Sequence, residues 1–143
     1  ASVSRSLPET QQARIGGAPR KFALPLSEDV MEITERKIGN ITIIKIQGQA
    51  VIDQKPERLS QLARERLQAG DRLFVVNLAG CSRMDSTALG ELVKSQKMVA
   101  DCEGVLKLAE VPLNLRGLFI VTNLTQILEI FDREQQAINS FGA

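Results

Sequence analysis

The sequence predicts a single α/β domain with a mixed, mainly parallel sheet and helices packed on it. Two patterns carry that expectation. From Met31 onward, short β-branched or apolar runs alternate with stretches whose apolar residues recur at helical spacing. The run from Arg72 to Leu78 is almost continuously apolar, the mark of a strand covered on both faces. Composition adds that the core is aliphatic: 43% of the 143 residues are hydrophobic, yet there are five Phe, no Trp and no Tyr.

The elements follow in order. Residues 1–30 hold Pro8, Pro19, Pro25, the Gly16-Gly17 pair and five serines or threonines, without apolar periodicity. They read as a flexible leader, a linker or a non-native segment, and residues 31–143 as the domain. Met31 opens the first regular pattern and is a candidate native start. Residues 32–37 alternate weakly, as an edge strand does, and Gly39-Asn40 is a turn signal. Ile41, Ile43, Ile44 and Ile46 form a β-branched strand ending at Gly48, with a loop over 49–54. Pro56 suits a first helical position, where its missing N–H is not needed. Leu59, Leu62, Ala63 and Leu67 give that helix its stripe, and Gly70 ends it.

The buried strand 72–78 comes next. A helix begins after Asp85 with Leu89, Leu92, Val93 and Val99 or Ala100 inside, and breaks at 101–104. Val105 to Ala109 is a strand, and Pro112 lies in the loop after it. Leu115, Leu118 and Phe119 mark a short helix that stops by Asn123. Ile127 to Phe131 is a last strand, and Asp132 caps a closing helix with Ala137, Ile138 and Phe141 inside. The expected order is β-β-α-β-α-β-α-β-α, in which strands joined through helices run parallel.

Composition excludes several functions. With no His, the chain lacks the usual general base, the usual zinc ligand and any Ser–His or Cys–His pair. Eighteen basic and seventeen acidic residues leave a net charge of +1, and residues 31–143 carry 14 of each. That is no footprint for nucleic acid. Cys81 and Cys102 make neither a disulfide framework nor a four-ligand metal site, and they read as reduced thiols in a cytoplasmic protein. Cys81 reads as a small core residue and Cys102 as more exposed. No apolar stretch is long enough to span a membrane or serve as a secretory signal. Neither GxxxxGK(S/T) nor a GxGxxG following a strand is present. The expectation is no catalytic residue, no metal and no cofactor.

One segment stands out. Cys81-Ser82-Arg83-Met84-Asp85-Ser86-Thr87-Ala88-Leu89-Gly90 joins the buried strand to a helix, where ligands and partners meet open α/β sheets. Two readings compete. In the first, Asp85 or Ser86 is a helix cap, contributing roughly 1 kcal/mol and nothing to function. In the second, Ser86 is a phosphorylatable hydroxyl. A helix N-terminus tolerates phosphate, although Asp85 opposes it by like charge. A new charge of nearly −2 then confronts any partner packed there. An enzyme using Ser86 as nucleophile lacks a base: Lys94 is about 12 Å along the same helix.

At this segment the chain resembles the STAS family, in particular the single-domain bacterial anti-sigma factor antagonists. Val75-Val76-Asn77-Leu78 followed by Met84-Asp85-Ser86-Thr87 and Leu89-Gly90 is similar to the family's strand, loop and helix start. Ile41 to Gly48 resembles its second strand. Val111-Pro112 through Leu118, Thr122-Asn123-Leu124 and Ile130-Phe131-Asp132 resemble its C-terminal third. The resemblance covers about residues 31–141. It implies a protein that binds an anti-sigma factor serine kinase and so frees a sigma factor. The kinase then phosphorylates the serine after the motif aspartate, here Ser86, with Thr87 as second candidate. A phosphatase resets it, and ATP belongs to the kinase. The implied partner surface is Asp53, Asp85, Ser86, Thr87 and Ala88. Ala88 stands where the family commonly has Gly, and Asp53 is the acid nearest the family's acidic position behind the glycine matching Gly48. The alternative within the same fold is a structural subunit of a multiprotein sensory complex or a lipid transporter, without a phosphorylation switch. Neither reading involves nucleic acid or insertion into a membrane.

Overall fold

A computed structural model describes residues 30–142. The expected leader therefore lies outside the described residues, except for Val30. Ten regular elements follow: β1 (Glu32–Ile38), β2 (Ile41–Ala50), α1 (Glu57–Gln68), β3 (Leu73–Asn77), β4 (Cys81–Met84), α2 (Ser86–Asp101), β5 (Val105–Ala109), α3 (Leu113–Val121), β6 (Glu129–Phe131) and α4 (Glu134–Asn139). The sheet order is β1-β2-β3-β5-β6, and β4 also pairs with β2. Among the described residues, only the β1–β2 hairpin is antiparallel; the other pairings are parallel.

Register explains why the central strands read as unbroken apolar runs. Ile44 pairs with Val76 and Val76 with Leu108. These residues face the larger core, which includes Leu59 and Leu67 of α1, Leu92 and Val99 of α2, and Leu115 and Phe119 of α3. Their sequence neighbours point the other way, because successive side chains in a strand alternate between faces. Ile41, Ile43, Val75 and Ala109 pack there against Ala137 and Ile138 of α4. Lys107 shares this second face: its Nζ donates to Ser140 Oγ at 2.7 Å and lies 4.5 Å from the centre of the Phe141 ring.

Four details depart from expectation. β2 runs on to Ala50, and a 3-10 turn, Ile52–Gln54, occupies the second half of the expected loop. Pro56 is the residue before α1 rather than its first helical residue, a shift of one position. β4 was not expected. Asn77 Oδ1 accepts the Ala79 N–H at 2.8 Å, which kinks the chain after β3. Pairing with β2 then resumes at Gly48 opposite Cys81, with a register shift before Gln49. The last strand is only Glu129–Phe131, and Asp132 does not cap α4. Its carboxylate pairs with Arg116 at 2.6 Å instead. The α4 N-terminus is satisfied by Glu110 Oε2, which accepts the Glu134 N–H at 2.9 Å, and by Gln136 Oε1, which accepts the Arg133 N–H at 3.2 Å.

Asp71, just before β3, fastens the hairpin to the parallel strands. Its carboxylate accepts from Lys37 Nζ and from Thr42 Oγ1. The Lys37 hydrogen bond is the largest influence holding Asp71 below its ordinary value of 3.8. A lowered carboxylate favours the folded state above its unfolded-state value, and that contribution disappears as pH falls through the folded-state value. Asp71→Asn is therefore expected to lower stability at pH 7 and to flatten the acid limb below about pH 4, read from thermal midpoints across pH.

Candidate functional site

The junction of β4 and α2 is built around Asp85. Its backbone is extended, and Oδ1 accepts the Ala88 N–H at 3.1 Å, closing the first turn of α2. The other oxygen, Oδ2, accepts the Ile52 N–H at 2.8 Å, from a residue 33 positions earlier. The Asp85 N–H in turn donates to Ala50 O at 3.2 Å. One carboxylate thus caps a helix and also fastens the 3-10 turn after β2 to that helix. The capping reading is correct for Asp85, and it leaves the next residue unengaged by the cap.

Ser86 is the first residue of α2 and is exposed; Thr87 is half-buried. Asp53 is exposed on the 3-10 turn that Asp85 fastens to the junction. Asp53, Asp85, Ser86 and Thr87 are therefore brought to one edge of the sheet, at the carboxyl ends of β2 and β4. Ala88 is different. It is only 3% exposed and belongs to the larger core, so its side chain offers a partner no surface. Its Cβ lines a cavity of about 10 Å³ beneath the junction, together with Met31, Ala50, Met84 and Glu91, which is room for about one water molecule.

Two residues missed in the sequence reading belong to this edge. Ile52 is 65% exposed beside Asp85, and Leu113 is 86% exposed at the start of α3. Asn114, next to Leu113, donates from Nδ2 to Ser82 O at 3.2 Å and so ties α3 to β4. The signal available in the sequence was Pro112-Leu113: an apolar residue at a helix start, out of step with the buried stripe Leu115, Leu118 and Phe119. Lys94, the base candidate for a Ser86 nucleophile, is exposed two turns further along α2. Among the described residues, no group of three or more His, Cys, Asp or Glu is placed to hold a metal ion, and no helix is long and apolar enough to cross a membrane.

The thiols divide as expected. Cys81 is buried in β4, and burial pushes its thiol above the ordinary value. Cys102, at the end of α2, is exposed. In native protein one thiol is expected to react promptly with a disulfide reagent and the other only on unfolding. Cys102→Ser should abolish the prompt phase, which absorbance of the released thiolate would follow.

The fold and this edge define a class: a small, mainly parallel α/β domain that presents an exposed serine beside the aspartate capping a helix, where a strand gives way to that helix. The chain belongs to the STAS domain family, whose family model matches residues 32–137. It is similar in structure to an anti-sigma factor antagonist from Mycobacterium paratuberculosis, with 13% identity and a TM-score of 0.71 over 78% of this chain and 94% of that one. The phosphorylated form of the Bacillus cell fate determinant SpoIIAA aligns at 16% identity and a TM-score of 0.62, over 77% of this chain and 99% of that one. A sulfate transporter family protein from Wolinella succinogenes aligns at 18% identity and a TM-score of 0.64, over 72% of this chain and 85% of that one. At these identities the likeness is one of fold. No curated protein matches the sequence.

Proposed function

We propose that this protein is an anti-sigma factor antagonist, regulated by phosphorylation of Ser86. The observation that carries the reading is the exposed Ser86 beside an aspartate whose two oxygens are both engaged by N–H groups of the chain itself. Those donors offset part of the Asp85 charge, which eases the placing of a phosphate next door. The first turn of a helix adds its positive dipole end. Solved structures of anti-sigma factor antagonists with the same fold support the reading, one of them in a phosphorylated form.

The unmodified protein binds an anti-sigma factor serine kinase through the edge formed by Asp53, Ser86, Thr87 and the neighbouring backbone, and the sigma factor is released. Ser86 Oγ then attacks the γ-phosphorus of ATP held by the kinase. The new bond joins Oγ to phosphorus, the bond to the β-phosphate oxygen breaks, and ADP leaves. The hydroxyl proton goes to a base on the kinase, since Asp85 is committed to the cap and the turn. The phosphoserine must be desolvated if the partner stays, so the partner leaves. A phosphatase restores the hydroxyl. In this reading the chain is cytoplasmic and performs no catalysis of its own.

The test is incubation with the candidate partner kinase and ATP, followed by mapping of the phosphate. Modification is expected at Ser86 and is expected to vanish in Ser86→Ala. Ser86→Ala should bind the kinase as wild type does, and Ser86→Asp at least tenfold more weakly. Equal binding by the two variants would overturn the switch and leave a structural subunit as the reading.

A further inference from the structure

We propose that two copies of this chain associate through the outward face of α3, with the two helices crossing antiparallel at Gly117. Helical geometry makes that face one surface. Each residue of a helix turns by about 100°. With Leu113 taken as zero, Ile120, Gly117 and Val121 fall at about −20°, +40° and +80°. The buried Leu115 and Phe119 fall at about 200° and 240°, on the opposite side. The outward stripe is apolar and open: Leu113, Ile120 and Val121 are 86%, 63% and 81% exposed. Large apolar side chains aligned in this way on one short helix mark a contact surface.

Three features point to a second copy as the occupant. The stripe is symmetric about its glycine, with Leu113 four residues before Gly117 and Val121 four residues after. In an antiparallel crossing at Gly117, Leu113 of each copy therefore meets Ile120 and Val121 of the other, about 6 Å from the crossing point, and the same contact is made twice. Gly117 leaves the crossing point bare, since nothing lies within 4 Å of its Cβ position, and the two helix axes can approach closely. Charge does not oppose the pairing. A two-fold contact sets like charge near like, but Arg116, the single charged residue of α3, lies beyond the edge of the stripe at about −60°. Its guanidinium is held by Asp132 Oδ1 at 2.6 Å and Val111 O at 3.1 Å.

The sheet edges are poorer routes to association. β1 carries Glu32, Glu35, Arg36 and Lys37, and β6 has only three residues; charged and short edges resist strand pairing. Three large side chains from each copy bury less than the roughly 1,200 Å² at which stable interfaces begin, so the dimer is weak, with a dissociation constant of about 0.1–1 mM. The proposal is independent of the phosphorylation reading, and its test involves no kinase, so either can fail without the other.

Sedimentation equilibrium of the full chain, from about 10 μM to about 1 mM, carries the test. The weight-average mass is expected to rise from one chain toward two and not beyond. Gly117→Gln fills the crossing point where the folded chain itself has room, so its thermal midpoint should hold or rise while association weakens at least tenfold. Leu113→Asp and Val121→Lys should each be monomeric. An equimolar mixture of the two should associate again, because their opposite charges meet only in the antiparallel register. Both positions are exposed, and unchanged far-ultraviolet dichroism confirms that the variants are folded. A wild-type mass that stays at one chain at the highest concentration would overturn the proposal and leave the stripe to a different protein. So would Gly117→Gln associating as wild type does, a mixture that stays monomeric, or growth past two chains.

Discussion

Gly48→Ala is expected to cost about 3–5 kcal/mol, the sum of left-handed backbone strain and a steric collision. Gly48 has φ +87°, and a Cβ built there would sit 1.9 Å from the Val30 carbonyl oxygen. The obstacle is backbone rather than the end of a flexible side chain, so the chain at Val30 has to move. Met31, only 2% exposed in the larger core, would move with it. Gly39 separates the two contributions. It has φ +60°, but nothing lies within 4 Å of its Cβ position. Gly39→Ala should therefore show the conformational cost alone, about 1–2 kcal/mol. Urea titrations of both variants check this: the Gly48→Ala midpoint should fall much further, at a similar slope. Equal midpoints would mean that Val30 and Met31 are not held against β2.

What could be read in the sequence was whatever is decided over a few residues. Val75 and Val76 are inward-facing on opposite faces, so the strand announces itself as an apolar run. Asp85-Ser86 announces a helix start because capping is satisfied within three residues. β4 did not announce itself. Cys81 and Met84 are buried with Ser82 and Arg83 exposed between them, which breaks the two-residue alternation at the register shift. Asp132 looked like a cap because its local sequence suits one, but Arg116 lies within reach from α3 and takes it. That competition is tertiary and has no local signature. The same holds for the bond from Ile52 to Asp85 and for the exposure of Leu113. Local sequence therefore located the serine. The residues surrounding it required the fold.

Asp85→Ala tests whether this edge is one unit. The substitution removes a helix cap, worth about 1 kcal/mol, and a charge-assisted bond to the Ile52 N–H, worth about 1.5–3 kcal/mol when shielded. Because the Ile52 bond is exposed and water can replace the lost acceptor, a total of about 2–3 kcal/mol is expected. Asp85→Asn is the more discriminating variant. Its side chain keeps a single acceptor oxygen, while the NH2 group faces the other donor and repels it. The amide can therefore serve Ala88 or Ile52, but not both. Hydrogen exchange reads the difference directly: both amides should exchange faster in Asp85→Ala, and only one in Asp85→Asn. In the proposed function, loss of the Ile52 bond also frees the turn bearing Asp53 from the helix that bears Ser86. Phosphorylation by the cognate kinase should then slow in Asp85→Ala although the acceptor hydroxyl is intact, mainly through a raised KM, because the change lies in how the substrate edge is presented. Unchanged protection at Ile52 and Ala88 would show that the aspartate does not hold the two elements together, and the docking edge would have to be sought in α2 alone.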